Sequence, residues 1–440
     1  MPPFLTWPDL AGLRVGVYGL GLEGQANARA CRALDIVPVL VDDRSQPHWP
    51  EALVTSHGGL DALKGCEVVI VSPGISIYSP QIEALRSAGV MIRGGLGLWL
   101  AGADRSRVIA ITGTKGKSTT TAFVGHLLTA WGYRCMVGGN IGAAPWDPQA
   151  GSDFDYWVVE VSSYQAATAE VAPAVVVVTS LNPDHLPWHR GDLETYYRDK
   201  LSLCTRPGAQ VTIANADSPE LVQHAGLLGP SVQWVSDREA QREPWTTAVP
   251  LLGRHNRRNT LLAATALREA GVPESSDPDA LRRAGAQFKP LAHRLTLVGT
   301  VHGVRFVDDS LATNVLPTIA ALESFPDQRI ALIVGGQDRG IDYSPIGIYL
   351  RDTDADVLVL AIPDSGARVA AEVSKYLAGK RATVRECVDL TDAVSTGHDW
   401  ARPDGIVLLS PAAPSFGVYK DYVERSHAFV KAVEGLEGYR

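Results

Sequence analysis

Cysteine is scarce: Cys31, Cys66, Cys135, Cys204 and Cys387 are the five in 440 residues, an odd number without C-x-x-C spacing. That excludes a disulfide-stapled scaffold and a thiolate metal cluster, and it fits a reducing compartment. No stretch reaches the roughly 18 uncharged apolar residues of a membrane-spanning helix. Positive charge is not in excess either, 40 Lys and Arg facing 48 Asp and Glu for a net charge of −8. Non-specific adhesion to nucleic acid or anionic lipid is therefore disfavoured, and any anionic ligand needs a local positive site. Low-complexity tracts and short-period repeats are missing, which argues against solenoids and fibres. The first residues, Met1 to Asp9, lack a basic region followed by an apolar one, so a soluble cytoplasmic protein is expected.

What is present is a chain 45% hydrophobic and 20% charged, apolar enough for packed cores. Its length predicts two to four domains, with three expected. Short β-branched runs recur, each ending in Gly, Ser, Asn or Asp and followed by a helical pattern, as parallel α/β sheets read. The clearest are 15–18, 68–72, 108–112, 157–161, 175–179, 330–334, 357–362 and 406–410. Polar junctions at 102–107 and 288–292 divide them, giving expected domains at 1–102, 103–292 and 293–440.

The first run leads into Gly19-Leu20-Gly21-Leu22-Glu23-Gly24, with Asp42 18 residues after Gly24. Glycines there let a backbone approach a pyrophosphate, and an acid after the next strand suits ribose hydroxyls. Nicotinamide dinucleotide, another nucleotide or sugar nucleotide, and a purely structural turn all remain open. Glu23 puts a carboxylate where a phosphate would sit, unless it turns away.

The second unit is more specific. Val108–Thr112 runs into Gly113-Thr114-Lys115-Gly116-Lys117-Ser118-Thr119 and a helix striped by Phe123, Leu127 and Leu128. This is a shortened phosphate loop, with Ile111 where the longer pattern has glycine. Backbone N–H groups of such a loop cradle phosphate oxygens, Lys117 neutralises β/γ charge and Ser118 reaches Mg²⁺. Ligands of parallel sheets bind beyond the carboxyl ends of strands, where Glu160 and His185 also fall. A carboxylate beside a phosphate loop suits Mg²⁺; zinc has little support without a nearby cysteine.

Together these residues resemble the Mur ligase family, ATP-dependent enzymes that join amino acids to a UDP-sugar precursor of peptidoglycan. The resemblance rests on Gly113–Thr119, Glu160-Val161-Ser162-Ser163, Asp184-His185, Gly253 to Asn259, and His293-Arg294. Asp309-Ser310, Ala312-Thr313-Asn314 and Ser410 to Ser415 point within the family to members that add D-glutamate to UDP-N-acetylmuramoyl-L-alanine. It implies a Rossmann-like N-terminal domain, a central ATPase-like parallel-sheet domain and a C-terminal Rossmann-like α/β domain, acting as a monomer on small molecules.

By the same resemblance, Gly19, Leu20, Gly21, Asp42, Asp43, Arg44, Ser72, Pro73 and Gly74 serve the UDP substrate, with Asn140 and Ser162 near its reacting end. Gly113 to Thr119, Asn256, Asn259, Arg294 and Asp309 serve ATP, while Thr313, Arg339, Ser415 and Tyr422 hold the amino acid. Ser118 and Glu160 would bind one Mg²⁺, His185 and a carbamylated Lys200 a second. On its own, Lys200 reads as a solvated helix lysine; its position in the family reverses that. Leu311, Ser180 and Pro187 depart from the family's usual lysine, asparagine and aspartate, and Glu23 from a common serine. Competing readings are a ligase for a different amino acid, a folylpolyglutamate-type ligase, an NAD-dependent oxidoreductase and a non-catalytic nucleotide-binding regulator.

Overall fold

A computed structural model describes residues 4–438 and shows an α/β chain built on three sheets. The first contains β1 (Val15–Tyr18), β2 (Val39–Asp42), β3 (Leu53–Val54), β4 (Val68–Val71) and β5 (Met91–Gly94), in the order β3-β2-β1-β4-β5. The second contains β6 (Val108–Thr112), β7 (Cys135–Gly139), β8 (Tyr156–Glu160), β9 (Val175–Val178), β10 (Val211–Asn215) and β11 (Val232–Val235), in the order β11-β10-β9-β6-β8-β7. The third contains β12 (Thr296–Val301), β13 (Val304–Asp308), β14 (Ile330–Val334), β15 (Val357–Ala361), β16 (Thr383–Glu386) and β17 (Ile406–Leu409), in the order β12-β13-β17-β14-β15-β16. Every pairing is parallel except the antiparallel β12–β13 hairpin.

The central strands β1, β4, β6, β9, β14, β15 and β17 are buried along their whole length. Helices cover both faces of such sheets, so each central strand is a continuous Val/Ile/Leu run rather than an alternating one. Their helices pack small and aliphatic residues inward, as Phe123, Val124, Leu127 and Leu128 of the helix Lys117–Ala130 do.

The chain divides into two compact units. One runs to Val249 and resumes over Arg257–Phe288; the other comprises Pro250–Asn256 and the chain from Lys289 onward. The first two sheets lie in the same unit because one apolar cluster runs through both, from Val15 and Ile70 to Val159 and Val176. Polar contacts reinforce it. Arg29 grips Asp147 with two N–H groups at 3.0 and 2.5 Å, and Trp146 donates to the buried Asn27 at 2.7 Å. Among the described residues no helix is long and apolar enough to cross a membrane.

Candidate active site

The loop after β6 is shaped by two positions that exclude a side chain. Gly113 has φ +132° and a Cβ there would lie 2.3 Å from Thr179 Oγ1; Gly116 has φ +89° and would crowd the Asn259 amide at 3.1 Å. Only glycine fits both. Thr179 donates to the Lys115 carbonyl at 2.5 Å, and the Lys115 N–H donates to Ser180 Oγ at 2.8 Å, so the end of β9 fixes the loop. The helix beginning at Lys117 then presents its N-terminus, with its partial positive charge, to whatever the loop encloses.

Two lysines meet on this loop. Lys117 donates to the Gly113 carbonyl at 2.8 Å, and Lys200, from the helix Leu193–Leu201, donates to the same oxygen at 3.3 Å. Lys200 is only 2% exposed, and among the described residues it forms no salt bridge. Burial, with the charge of Lys117 added, drives its ammonium well below the ordinary lysine range.

At the end of β8, Asn140 donates to one oxygen of the buried Glu160 at 2.7 Å. The second oxygen, Oε2, is buried without a hydrogen-bond partner among the described residues. Such an oxygen is costly unless a ligand or cation meets it. His185 lies in the following strand-end loop at φ +52°, with half its side chain exposed. Its ring is kept below the usual imidazole pKa, first by burial and then by Lys200, Lys117 and Lys115 against the pull of Asp184. It is neutral near pH 7 and so able to ligate a metal. No cluster of three or more His, Cys, Asp or Glu side chains with metal-site geometry occurs among the described residues.

In the first sheet, the loop after β1 closes on itself. Ser72 donates to the Gly19 carbonyl at 2.6 Å, and a Cβ at Gly24 would strike that carbonyl at 1.8 Å. Asp42 accepts the Leu20 and Arg44 N–H groups at 2.6 and 3.0 Å, shaping the loop itself, and Asp43 accepts Tyr18 and Thr55. Glu23 turns away from the glycines to accept the amide of Gln165 at 2.7 Å. Gln165 in turn closes the capping box of the helix Ser163–Thr168 with Ser162.

The third sheet gathers the remaining positions at its strand ends. Asp309 accepts Ser410 Oγ at 2.7 Å, and burial pushes its carboxyl up to about 7. Arg339 is exposed, bonded to Gln337 and 5.7 Å from the Phe416 ring, while Thr313 is exposed, Ser415 buried and Tyr422 38% exposed. Beneath them Arg425, with no exposure at all, donates to Ser310 Oγ and to the carbonyls of Ser310 and Ala413. Asn256 and Asn259 share the helix Arg254–Glu269, where Asn256 donates back to the Leu252 carbonyl at 2.6 Å.

Comparison with known proteins decides the family. The Mur ligase middle domain matches residues 111–267, the Mur ligase glutamate ligase domain 293–413, and the N-terminal domain of MurD-like Mur ligases 14–94. A UDP-N-acetylmuramoyl-L-alanine--L-glutamate ligase from a Micromonospora species is 39% identical, covering 98% of both chains. The protein of that name from Salinispora tropica is 36% identical over 98% of this chain and 99% of its own. The chain belongs to the Mur ligase family.

The crystal structure of the UDP-N-acetylmuramate-alanine ligase of Thermotoga maritima shares the fold of this Mur ligase, with a TM-score of 0.53 at 18% identity over 96% of this chain and 99% of that one. Sequence reading found the Mur ligase's strand-end residues but passed over several that hold them. Thr179 fixes the phosphate loop, Tyr196 reaches Thr114 Oγ1 at 3.0 Å, Gln165 takes up Glu23, and Arg425 braces the third sheet's loops. Only Gln165 had a local signal, the Ser-x-x-Gln spacing of a capping box.

Proposed function

We propose that this Mur ligase uses ATP to join glutamate to UDP-N-acetylmuramoyl-L-alanine in cytoplasmic peptidoglycan precursor synthesis. The observation that carries the reading is the convergence of Lys117 and Lys200 on the Gly113 carbonyl, within electrostatic reach of Glu160. It is a site built to gather phosphate charge. We assign residues 1–102 to the UDP substrate, 103–292 to ATP and 293–440 to the amino acid. The resemblance drawn from sequence implied D-glutamate. Glutamate is kept, and its configuration is taken as L from the names of the relatives up to 39% identical.

In this reading the substrate carboxylate attacks the γ-phosphorus of ATP; the bond to the β,γ-bridging oxygen breaks and ADP leaves. The glutamate amine then attacks the acyl phosphate carbon, and the tetrahedral intermediate expels phosphate as the nitrogen loses its proton. No side-chain nucleophile is required, so the protein's part is charge neutralisation and alignment. Lys117 and the loop amides hold the transferring phosphoryl group, and Asn140 orients Glu160.

The Glu160 oxygen without a partner among the described residues fits a hard cation, as does the Ser118 hydroxyl, whereas the His185 imidazole is a less usual ligand for Mg²⁺. An amine at Lys200 does not suit it, but CO₂ adds to a neutral amine to give a carbamate, which supplies oxygen donors. Ser118 with Glu160 would hold one Mg²⁺, and His185 with carbamylated Lys200 a second. Bound there, Mg²⁺ supplies neutralisation of phosphate charge. Within the unit of the third sheet we assign Arg294 and Asp309 to ATP and Thr313, Arg339, Ser415 and Tyr422 to glutamate, with the Arg339 guanidinium suited to a carboxylate.

Lys117→Ala tests the division of labour. ATP-dependent ligation is lost while the UDP substrate still binds, read by calorimetry; loss of both in a folded protein contradicts the assignment.

A further inference from the structure

We propose that Ser163, His189, Asp199 and Tyr78 form a positioning relay that fixes Lys200 and His185 relative to Glu160. The proposal rests on the reading of those three residues given above. His189 Nδ1 lies 2.7 Å from Asp199 Oδ2, and its Nε2 lies 3.1 Å from Ser163 Oγ. Tyr78 donates to both Asp199 oxygens at 2.9 Å. One assignment satisfies every group: Nδ1–H donates to the carboxylate, and Nε2 accepts the serine hydroxyl.

Serine, histidine and aspartate in this order have the connectivity of a hydrolytic triad. Here the serine is 2% exposed and the histidine not exposed at all, so no substrate reaches the hydroxyl. The relay instead joins segments. Ser163 stands three residues beyond Glu160, His189 four beyond His185, Asp199 next to Lys200, and Tyr78 four beyond Gly74. Each member therefore holds the backbone from which a reacting-site residue projects, and none touches the reacting atoms.

The neighbouring Trp188 ties the same loop to the first sheet. Its indole donates to the Pro73 carbonyl at 2.9 Å, its own carbonyl accepts Ser76 Oγ at 2.6 Å, and its ring stacks on Tyr164 at 4.5 Å. Tyr196 closes the box around His189 at 5.2 Å. The UDP-substrate loop and the two-lysine site thus share one rigid wall.

The test compares His189→Phe, which keeps a ring in the aromatic box, His189→Asn, which keeps a donor toward Asp199, Tyr78→Phe, and Lys200→Ala. Steady-state kinetics, thermal melting and ¹³C NMR of protein equilibrated with ¹³C-bicarbonate, without ATP or metal, are read on each. Misplacement by about 1 Å costs about 10²-fold in rate, so His189→Phe should lose roughly 10–100-fold in kcat, with KM for the UDP substrate unchanged within about twofold. Its lysine carbamate signal should fall in parallel. His189→Asn should recover about tenfold of that loss, and Tyr78→Phe, which disturbs the interior least, should lose several-fold in kcat.

Wild-type kcat and carbamate signal in His189→Phe or Tyr78→Phe, with Lys200→Ala inactive, overturn the relay and leave the ligase reading standing. An equal fall of melting temperature, kcat and substrate affinity without rescue by His189→Asn reduces the network to a structural core contact and also overturns it. Full activity of Lys200→Ala removes the reading beneath it and the relay together.

Discussion

Lys117 and Lys200 come from different helices yet place their ammonium groups on one acceptor, the Gly113 carbonyl, at 2.8 and 3.3 Å. Two buried or half-buried cations so close repel, and the more enclosed one yields its proton most readily. Substrate phosphates would relieve Lys117; CO₂ would relieve Lys200 by turning it into an anion. Lys200→Ala should therefore lose most ligation activity and regain part of it with a short carboxylic acid in the assay. Indifference to the substitution removes the carbamate from the account.

Asn140 donates to Glu160, the carboxylate proposed to hold Mg²⁺. Asn140→Ala frees a carboxylate oxygen to rotate, and partners of this kind typically contribute 10–100-fold in activity or metal affinity. The expected result is a rate loss of about 10–100-fold that is partly restored at high Mg²⁺. A loss that no Mg²⁺ concentration changes would point to a role in binding substrate alone.

Glu23 makes stability depend on pH. Burial raises its carboxyl to about 7 from 4.5, against the opposing hydrogen bond from Gln165. The neutral form is favoured in the fold, so its contribution is complete below about pH 4.5 and is lost as pH rises through about 7. Glu23→Gln should melt like the wild type at pH 5 and be more stable by on the order of 1 kcal/mol at pH 8. Identical melting curves at both pH values contradict this.

Arg425 is buried and among the described residues has no carboxylate partner; its donors go to Ser310 and the Ala413 carbonyl. Burial holds its pKa down to about 10. Lysine cannot reproduce the fork, and stranding a buried carbonyl costs about 1–3 kcal/mol. Arg425→Lys should lower stability by about 2 kcal/mol and raise KM for glutamate more than KM for ATP. Denaturant unfolding and kinetics at varied glutamate check both.

Much of the fold was legible where burial is complete. Val15–Tyr18, Val108–Thr112 and Ile330–Val334 are strands over the expected residues because both faces are covered and the runs are unbroken. Edge strands were not legible. Leu53–Val54 is two residues long, and Thr383–Glu386 is mostly exposed and polar, so neither has an apolar run to read. The β12–β13 hairpin was also missed, since the half-exposed Thr296–Val301 gains its identity from pairing rather than from its own pattern.

Site legibility followed the same division. Lys117, Glu160 and His185 stand at strand ends or in a phosphate loop, where chain position alone places them on one rim. Burial of Lys200, its approach to Gly113 and the His189–Asp199 contact depend on how the helix Leu193–Leu201 packs, which no local pattern encodes. The spacing of Asp42 suited ribose hydroxyls as one of several readings, and the family resemblance assigned it to the UDP end; that both its oxygens accept backbone N–H groups of neighbouring loops is a feature no spacing encodes.

The most direct test of the central claim is phosphate release from ATP and Mg²⁺ with UDP-N-acetylmuramoyl-L-alanine, comparing L-glutamate, D-glutamate, L-lysine, meso-diaminopimelate and no amino acid. The account predicts release with L-glutamate, accompanied by a UDP product heavier by one glutamyl residue, and background release without an amino acid. Release with D-glutamate instead would return the configuration to the one the sequence resemblance implied. Release with none of them would contradict the ligase reading itself.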